Sequence, residues 1–321
     1  MIYALVLAAM TLAATVAAGY PAVALLRRQN VGKEISEWAP ETHQAKAGTP
    51  TMGGLLIVLM IAAFTLAANF FGRYSIGLPL LVGGSFAALG FVDDLGSLEG
   101  RRQAALQRRV KLLAFIAIGA GAAIGLYEFL ELQTVNVPYE GRHDLGWLFV
   151  PIAIGVVVLT AGGVAVTDGL DGLAAGTLAI AFFAYGILAL HQEQMFLGAF
   201  SFTAAAACAG FLWHNAYPAR VFMGDTGALA LGGALAVVAF MTGQWLVLPL
   251  IGIVFVIEGA SVGLQVAYFQ ATGGKRIFRK TPIHHHFEEG GWSEVQTTIR
   301  FWVVGLFGAL VGVALALEVY S

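Results

Sequence analysis

Residues 146–190 read GWLFVPIAIGVVVLTAGGVAVTDGLDGLAAGTLAIAFFAYGILAL. Two apolar runs, 146–166 and 172–190, flank the short polar turn Thr167-Asp168-Gly169-Leu170-Asp171. Each run is close to the roughly 20 residues that an α-helix needs to cross a bilayer. A membrane β-barrel would show alternating segments of about ten residues instead. Continuous runs of this length favour helices, which satisfy their backbone polar groups internally in lipid.

The same reading extends outward in both directions. Further apolar stretches fall at 2–26, 51–71, 75–92, 111–130, 195–213, 226–243, 245–270 and 299–319. With the first pair they predict an all-α integral membrane protein of about ten transmembrane helices. Composition agrees: of 321 residues, 59% are hydrophobic and 11% charged, against about 25% charged in a soluble domain. Mean hydropathy is +0.80. The whole chain, 1–321, reads as a single polytopic membrane domain with one long polar loop, 271–298, in the cytoplasm. Segment 131–145 is polar and short and is expected to form a small interfacial element on the outer side.

Lys and Arg set the orientation. The run Met1 to Leu26 lacks a positive start and is followed by Arg27 and Arg28, so it reads as a retained first helix with its N-terminus outside, not as a cleaved signal. The inner loops are then 27–50, 93–110, 167–171, 214–225 and 271–298, and both termini lie outside. Only Arg73 and Arg142 fall on the outer side, while the other Lys and Arg residues lie inside or at inner helix ends. One missed or false span would scatter these charges. The net charge of −2 gives no reason to expect nucleic acid as a partner. The lone Cys208 excludes an intramolecular disulfide and reads as a small buried hydrophobe.

Acidic residues concentrate at three inner helix ends: Phe91-Val92-Asp93-Asp94, Thr167-Asp168-Gly169-Leu170-Asp171-Gly172 and Phe222-Met223-Gly224-Asp225-Thr226-Gly227. Carboxylates beside lipid are expensive and mark functional sites. Asp171 and Asp225 each precede an apolar run and could serve as helix N-caps, but capping does not explain five aspartates on one face of a membrane. Adjacent Asp93 and Asp94 cannot point the same way on a helix, so one faces the site and the other caps or supports. Asp168 and Asp171, three apart, are expected to share a helical face. Several carboxylates at one surface suggest Mg²⁺, which bridges protein carboxylates to substrate phosphates.

The loop 271–298 carries His284, His285 and His286 in a row. Imidazoles suit phosphate binding, proton handling or metal ligation. Zinc sites want spaced ligands and often thiolates, and adjacent histidines project in different directions, so phosphate contact or proton handling is favoured over zinc or a solvated loop. Lys46, at the Gly-rich entry Lys46-Ala47-Gly48-Thr49-Pro50-Thr51-Met52-Gly53-Gly54, is either a positive-inside anchor or a contact for an anionic substrate. Asn215 offers an amide at an inner helix end, and Phe222 is placed to stack on a base.

Taken together, the Lys46–Gly54 segment, Phe91-Val92-Asp93-Asp94, Thr167 to Ala174, Val221-Phe222-Met223-Gly224-Asp225 and Pro282-Ile283-His284-His285-His286-Phe287 resemble the phospho-N-acetylmuramoyl-pentapeptide transferases. These are members of the polyprenyl-phosphate N-acetylhexosamine-1-phosphate transferases. The resemblance runs from about residue 40 to the C-terminus, and the histidine triplet points to the muramoyl-pentapeptide branch. It implies a multi-pass enzyme of the bacterial inner membrane, commonly a homodimer, with its active site at the cytoplasmic face. Such an enzyme transfers phospho-N-acetylmuramoyl-pentapeptide from its UDP carrier to undecaprenyl phosphate, giving lipid I and UMP in peptidoglycan synthesis, and requires Mg²⁺.

By position, the resemblance makes Asp225 the Mg²⁺ ligand, with Asp93 and Asp94 as further candidates. Asp93 becomes the base or nucleophile that activates the lipid phosphate, with Asp94 beside it. Lys46, Asp168, Asp171, Asn215 and Phe222 become parts of the nucleoside and sugar-phosphate pocket. The triplet gives diphosphate or sugar contacts, with His284 counted among the catalytic groups. Lys111 matches a basic residue after the Asp pair. Direct attack by the lipid phosphate and double displacement through an aspartyl intermediate both fit.

The chain departs from the family pattern in two places. Ser97 stands where the family usually has Lys, and Ala165 and Gly162 stand where an Asn often precedes Thr-Asp-Gly. Arg101, Arg102 and Lys111 are the candidates to replace the missing lysine. Two rival readings remain: a related sugar-1-phosphate transferase, and a transporter. Transporters place polar groups near the bilayer midplane, whereas here they gather at one surface.

Overall fold

The computed structural model describes residues 1–28, 48–68, 74–98 and 107–318. Lys46, Arg101 and Arg102, singled out in the sequence, lie outside the described residues. The chain is mostly α-helical. In order come α1 (Ile2–Arg28), α2 (Gly54–Ala68), α3 (Gly77–Gly96) and α4 (Arg108–Ile124). A hairpin of β1 (Thr134–Val137) and β2 (Gly141–Asp144) follows, then α5 (Phe149–Thr167), α6 (Leu173–His191) and α7 (Met195–Asn215). The chain continues through α8 (Gly224–Met241), α9 (Leu248–Ile251), α10 (Ile253–Ala271), α11 (Ile283–Glu288) and α12 (Glu294–Leu317).

Among the described residues, nine helices are long and apolar enough to cross a membrane. The expected span 51–71 corresponds to α2, a shorter apolar helix of 15 residues. The expected helix 245–270 is broken in two, because Gly252 separates α9 from α10. Helix α3 runs past its expected end and takes Asp93 and Asp94 into its last turn. Segment 131–145 forms an antiparallel hairpin pairing Thr134 with Asp144 and Val137 with Gly141.

Helix α8 is the axis of the bundle. Of its apolar window, 89% is buried against protein, compared with 28% for α1 and α10. It is enclosed chiefly by α3, α5 and α2, while α6 and α7 pair beside it. The core is built on large rings, among them Phe86, Phe149, Phe182, Phe200, Phe211 and Phe240. Outward faces carry exposed apolar residues such as Leu113, Leu159, Phe307 and Leu310, which water would penalise and lipid accepts.

The two ends of α8 differ in kind. Its C-terminal end leads to Gly243, against the Asn136 side chain of β1, and to Trp245, whose Nε1 donates to the Thr134 carbonyl. Its N-terminal end meets the acidic motifs, so the hairpin and the acidic cluster lie at opposite ends of the bundle.

Small residues let helices approach α8 closely there, as in membrane bundles generally. A Cβ on Gly54 would lie 2.2 Å from the Cα of Gly227, and one on Gly90 would lie 2.3 Å from the Asp225 carbonyl oxygen. Gly90→Ala is therefore expected to destabilise the fold by about 1–3 kcal/mol through overpacking against backbone. Gly84→Ala, where an added Cβ meets nothing within 4 Å, serves as the control and stays at or slightly above wild type. Thermal unfolding in detergent measures both; equal midpoints for the two variants contradict the packing account.

Candidate active site at the start of α8

Three segments converge on the first turn of α8. The Asp94 carboxylate, only 2% exposed, accepts from the Asp225 backbone N–H at 3.1 Å through Oδ1. Its Oδ2 accepts from the Thr226 N–H at 2.9 Å and the Thr226 hydroxyl at 2.7 Å. It thereby satisfies donors that a helix start leaves open and places negative charge at the positive end of the helix dipole. The Asp168 Oδ2 accepts from the Gly224 N–H at 2.9 Å. Gly224 has φ +75°, and a Cβ there would sit 2.7 Å from Asp94 Oδ2 and 2.8 Å from Thr51 Oγ1, so both conformation and space require glycine.

The Gly-rich entry supplies the third brace. The Phe222 N–H donates to the Pro50 carbonyl, Gly53 N–H to the Phe222 carbonyl, and Gly54 N–H to the Met223 carbonyl, at 2.8–2.9 Å. Phe222 is thus held by its backbone at the rim of the cluster, its side chain partly exposed.

With the start of α8 fixed, Asp225 projects from its first turn. Lys111 Nζ, from the first turn of α4, donates to Asp225 Oδ2 at 2.6 Å and to Asp93 Oδ2 at 2.7 Å. All three side chains are about one-quarter exposed. The adjacent aspartates of α3 have therefore divided their roles: Asp93 faces the cation, and Asp94 supports α8. Ser97 does not substitute for a lysine; its hydroxyl donates to the Asp94 carbonyl at 2.9 Å and closes the end of α3. Of the three candidate replacements, Lys111 lies among the described residues, and it sits on the acidic pair.

Asp168 and Asp171 do not share a helical face. They lie in a turn between α5 and α6, because Gly172 at φ +76° precedes the start of α6. Neither Asp171 nor Asp225 holds the N-cap position: Gly172 does so for α6 and Met223 for α8, and neither makes a side-chain cap bond. Asp171 Oδ2 instead accepts from the Ala219 N–H at 2.9 Å. Asn215 donates to the Val221 carbonyl at 2.9 Å and accepts from the Gly172 N–H at 3.1 Å. Asp168, Asp171 and Asn215 thus join the turn after α5 to the segment entering α8. Ala165 packs against the apolar core, and nothing lies within 4 Å of a Cβ placed on Gly162.

The histidine triplet lies on a short helix, α11, rather than in a loop. Its ring nitrogens take different partners, although the His284 and His285 rings pack edge to face with centroids 4.1 Å apart: His285 Nδ1 is 2.8 Å from Glu288 Oε2, and His286 Nδ1 accepts from the Arg279 N–H at 3.2 Å. His284 is fully buried, with Nδ1 3.0 Å from Glu258 Oε2 on α10. A Cβ on Gly169 would lie 2.5 Å from His284 Nε2, which puts this imidazole against the Asp168–Asp171 turn. Glu258 escaped the motif reading, although it is the sole charged residue in the apolar stretch 245–270, and that was signal enough.

Comparisons with known proteins fit this arrangement. Residues 76–243 match the family model Glycosyl transferase family 4, and residues 46–58 match Phospho-N-acetylmuramoyl-pentapeptide-transferase signature 1. A phospho-N-acetylmuramoyl-pentapeptide-transferase of Chloroflexus aurantiacus is 45% identical, covering 98% of this chain and 89% of the relative. Those of Chloroflexus aggregans (44%, 98% and 89%) and Listeria innocua (43%, 92% and 92%) are similar. Apolar helices gathered around an acidic cluster, with the first of these matches, define a multi-pass bacterial membrane enzyme of the phosphoglycosyl transferase class. Within that class, the chain belongs to the phospho-N-acetylmuramoyl-pentapeptide-transferase family.

Asp94→Ala strips the acceptor from two backbone N–H groups and a hydroxyl at the start of α8. A loss of about 2–4 kcal/mol is expected, read as a lower unfolding midpoint in detergent. Asp93→Ala is expected to leave that midpoint near wild type, since Lys111 keeps Asp225.

His285 has a pKa below the ordinary 6.5, chiefly because burial penalises the charged ring; neighbouring His284 lowers it further, against the pull of Glu288. The unfolded chain therefore binds the proton more readily. The stabilisation from neutral His285 is present above 6.5 and fades as pH falls through the lowered value. NMR titration of the His285 ring should give a midpoint below 6.5; a midpoint at or above it contradicts the burial account.

Proposed function

We propose that this protein transfers phospho-N-acetylmuramoyl-pentapeptide from UDP-N-acetylmuramoyl-pentapeptide to undecaprenyl phosphate, releasing UMP and making lipid I for peptidoglycan synthesis. Membership of the family carries the reaction class. The observation that carries the chemistry is the convergence of Asp93 and Asp225 on one cationic point, with Lys111 between them, at the end of the bundle that also holds Asp168, Asp171, Asn215 and His284.

The acidic pair fits Mg²⁺. Two carboxylate oxygens lie 2.6 and 2.7 Å from a single positive centre, and both are the hard donors that this ion takes. No group of three or more His, Cys, Asp and Glu side chains able to hold a metal occurs among the described residues. Mg²⁺ needs no such group, being usually held by one or two carboxylates plus substrate phosphates and waters. Asp225 is the primary ligand in this reading, with Asp93 as its neighbour. Bound there, the ion would neutralise the diphosphate and stabilise departing UMP.

The remaining roles belong to the side chains. Lys111 holds the cationic point between the acidic pair; with the ion bound there, its ammonium would turn to the incoming phosphates. Asp93 supplies the carboxylate that activates the lipid phosphate. Asp94 holds the start of α8 and touches no substrate. Lys46, Phe222, His285 and His286 complete the nucleotide and sugar-phosphate contacts.

The acidic end of the bundle faces the cytoplasm in this reading, which the distribution of Lys and Arg supports and which suits a UDP-sugar substrate. Both termini and the hairpin then lie on the outer side. The enzyme acts as a homodimer in the inner membrane, and the polyprenyl tail approaches through the bilayer.

Purified protein given radiolabelled UDP-N-acetylmuramoyl-pentapeptide, undecaprenyl phosphate and Mg²⁺ should form a lipid-soluble labelled product. Chelation, or Asp225→Ala, should reduce it at least about 100-fold, the order that one electrostatic group contributes. Labelled product from UDP-N-acetylglucosamine alone would overturn the substrate assignment, and absence of UMP release with all components present would overturn the activity.

A further inference from the structure

Glu258 stands alone in an apolar helix. It is fully buried on α10, and no other charged residue lies within 245–270. An ionisable group so placed is costly unless a partner compensates it. Its partner is His284: Glu258 Oε2 lies 3.0 Å from Nδ1, with both side chains 1% exposed or less. Two atoms of this pair, Glu258 Oε1 and His284 Nε2, are buried and make no hydrogen bond among the described residues. Leaving a buried polar atom unpaired costs on the order of 1–3 kcal/mol, so the arrangement is not one that stability alone would select.

Direction supplies the second half of the argument. The carboxylate sits on Nδ1, and the hydrogen bond made by one ring nitrogen decides which nitrogen carries the proton. With Nδ1–H donating to Glu258, Nε2 is the atom left for another group. Nε2 points at Gly169, where a Cβ would lie 2.5 Å away. The side chain missing at 169 lets the ring sit directly against the backbone of that turn. Asp168, the preceding residue, holds the Gly224 N–H one position before Asp225. The free nitrogen of His284 therefore borders the turn that leads directly to the acidic pair.

We propose that Glu258 is the positioning residue of His284: it fixes the imidazole with Nδ1 protonated and holds the unpartnered Nε2 at the Gly169 turn, for a polar group of the nucleotide-sugar substrate. The proposal rests on the transferase reading given above. Glu258 touches no substrate and acts only through the ring it holds. Carboxylates in this supporting position typically change activity by about 10–100-fold when removed.

The test uses the full-length protein in detergent with selectively ¹⁵N-labelled histidine, the His284 signal being assigned by its loss in His284→Gln. Wild-type protein should show Nδ1 of His284 protonated. Glu258→Gln, near-isosteric and able to donate its amide to Nδ1, should populate the form with Nδ1 bare and Nε2 protonated. In the lipid-product assay, Glu258→Gln should lower kcat about 10–100-fold while KM for the UDP-linked substrate changes less than about threefold. Glu258→Gln/His284→Gln should be no slower than His284→Gln alone, because the carboxylate acts through the ring. A wild-type His284 with Nδ1 unprotonated overturns the proposal. So does an unaltered kcat in Glu258→Gln, or losses that multiply in the double variant. Inactive wild-type protein would instead count against the transferase reading, leaving the nitrogen assignment of His284 to decide this proposal by itself.

Discussion

A buried carboxylate on the open end of a central helix governs this structure. Asp94 accepts the N–H groups of Asp225 and Thr226 and the Thr226 hydroxyl. In a low-dielectric bundle such donors must be satisfied, and the partial positive charge of the helix start offsets the desolvation of the carboxylate. The bond ties α3 to α8 at the depth where Gly90 lets the two backbones meet. The direction of Asp225 follows from it. So does the placement of Asp93, which its neighbour's commitment leaves free to turn toward Lys111. The turn after α5 is tied to the same helix start through Asp168 and Gly224.

The fold was largely legible in the sequence because lipid imposes a simple rule: apolar runs of span length become helices. The runs 146–166 and 172–190 emerged as α5 and α6 nearly to the residue. The rule loses resolution where backbone detail intervenes. Gly252 cuts the 245–270 run into two helices, and no count of apolar residues distinguishes that break from the helical glycines elsewhere in the chain. The extra turn of α3 was hidden because two aspartates looked like an end, whereas both are satisfied inside the last turn.

Side-chain placement was legible in part. The division of labour between Asp93 and Asp94 follows from helical geometry alone. Capping by Asp171 and Asp225 is the local alternative, and tertiary structure supplies other partners: Asp94, distant in sequence, serves the start of α8, and Asp171 turns to the Ala219 backbone. Ser97 looked like a lost contact, and Lys111, 14 residues further on, meets the acids from a neighbouring helix. The histidine triplet is one motif in sequence, with adjacent rings expected to project in different directions. Its three rings have three separate partners, and Glu258, the partner of the most buried ring, belongs to no motif.

The account's central claim is that the start of α8, held by Asp94, presents Asp225 and Asp93 to the reacting phosphates. An experimental structure of the protein with Mg²⁺ and the UDP-linked substrate tests it most directly. The account predicts the metal ion on Asp225, with Asp93 beside it and the substrate diphosphate completing its shell, while Asp94 remains bonded to the Asp225 and Thr226 backbone. A metal ion on Asp94, with that carboxylate turned away from the helix start, would contradict it.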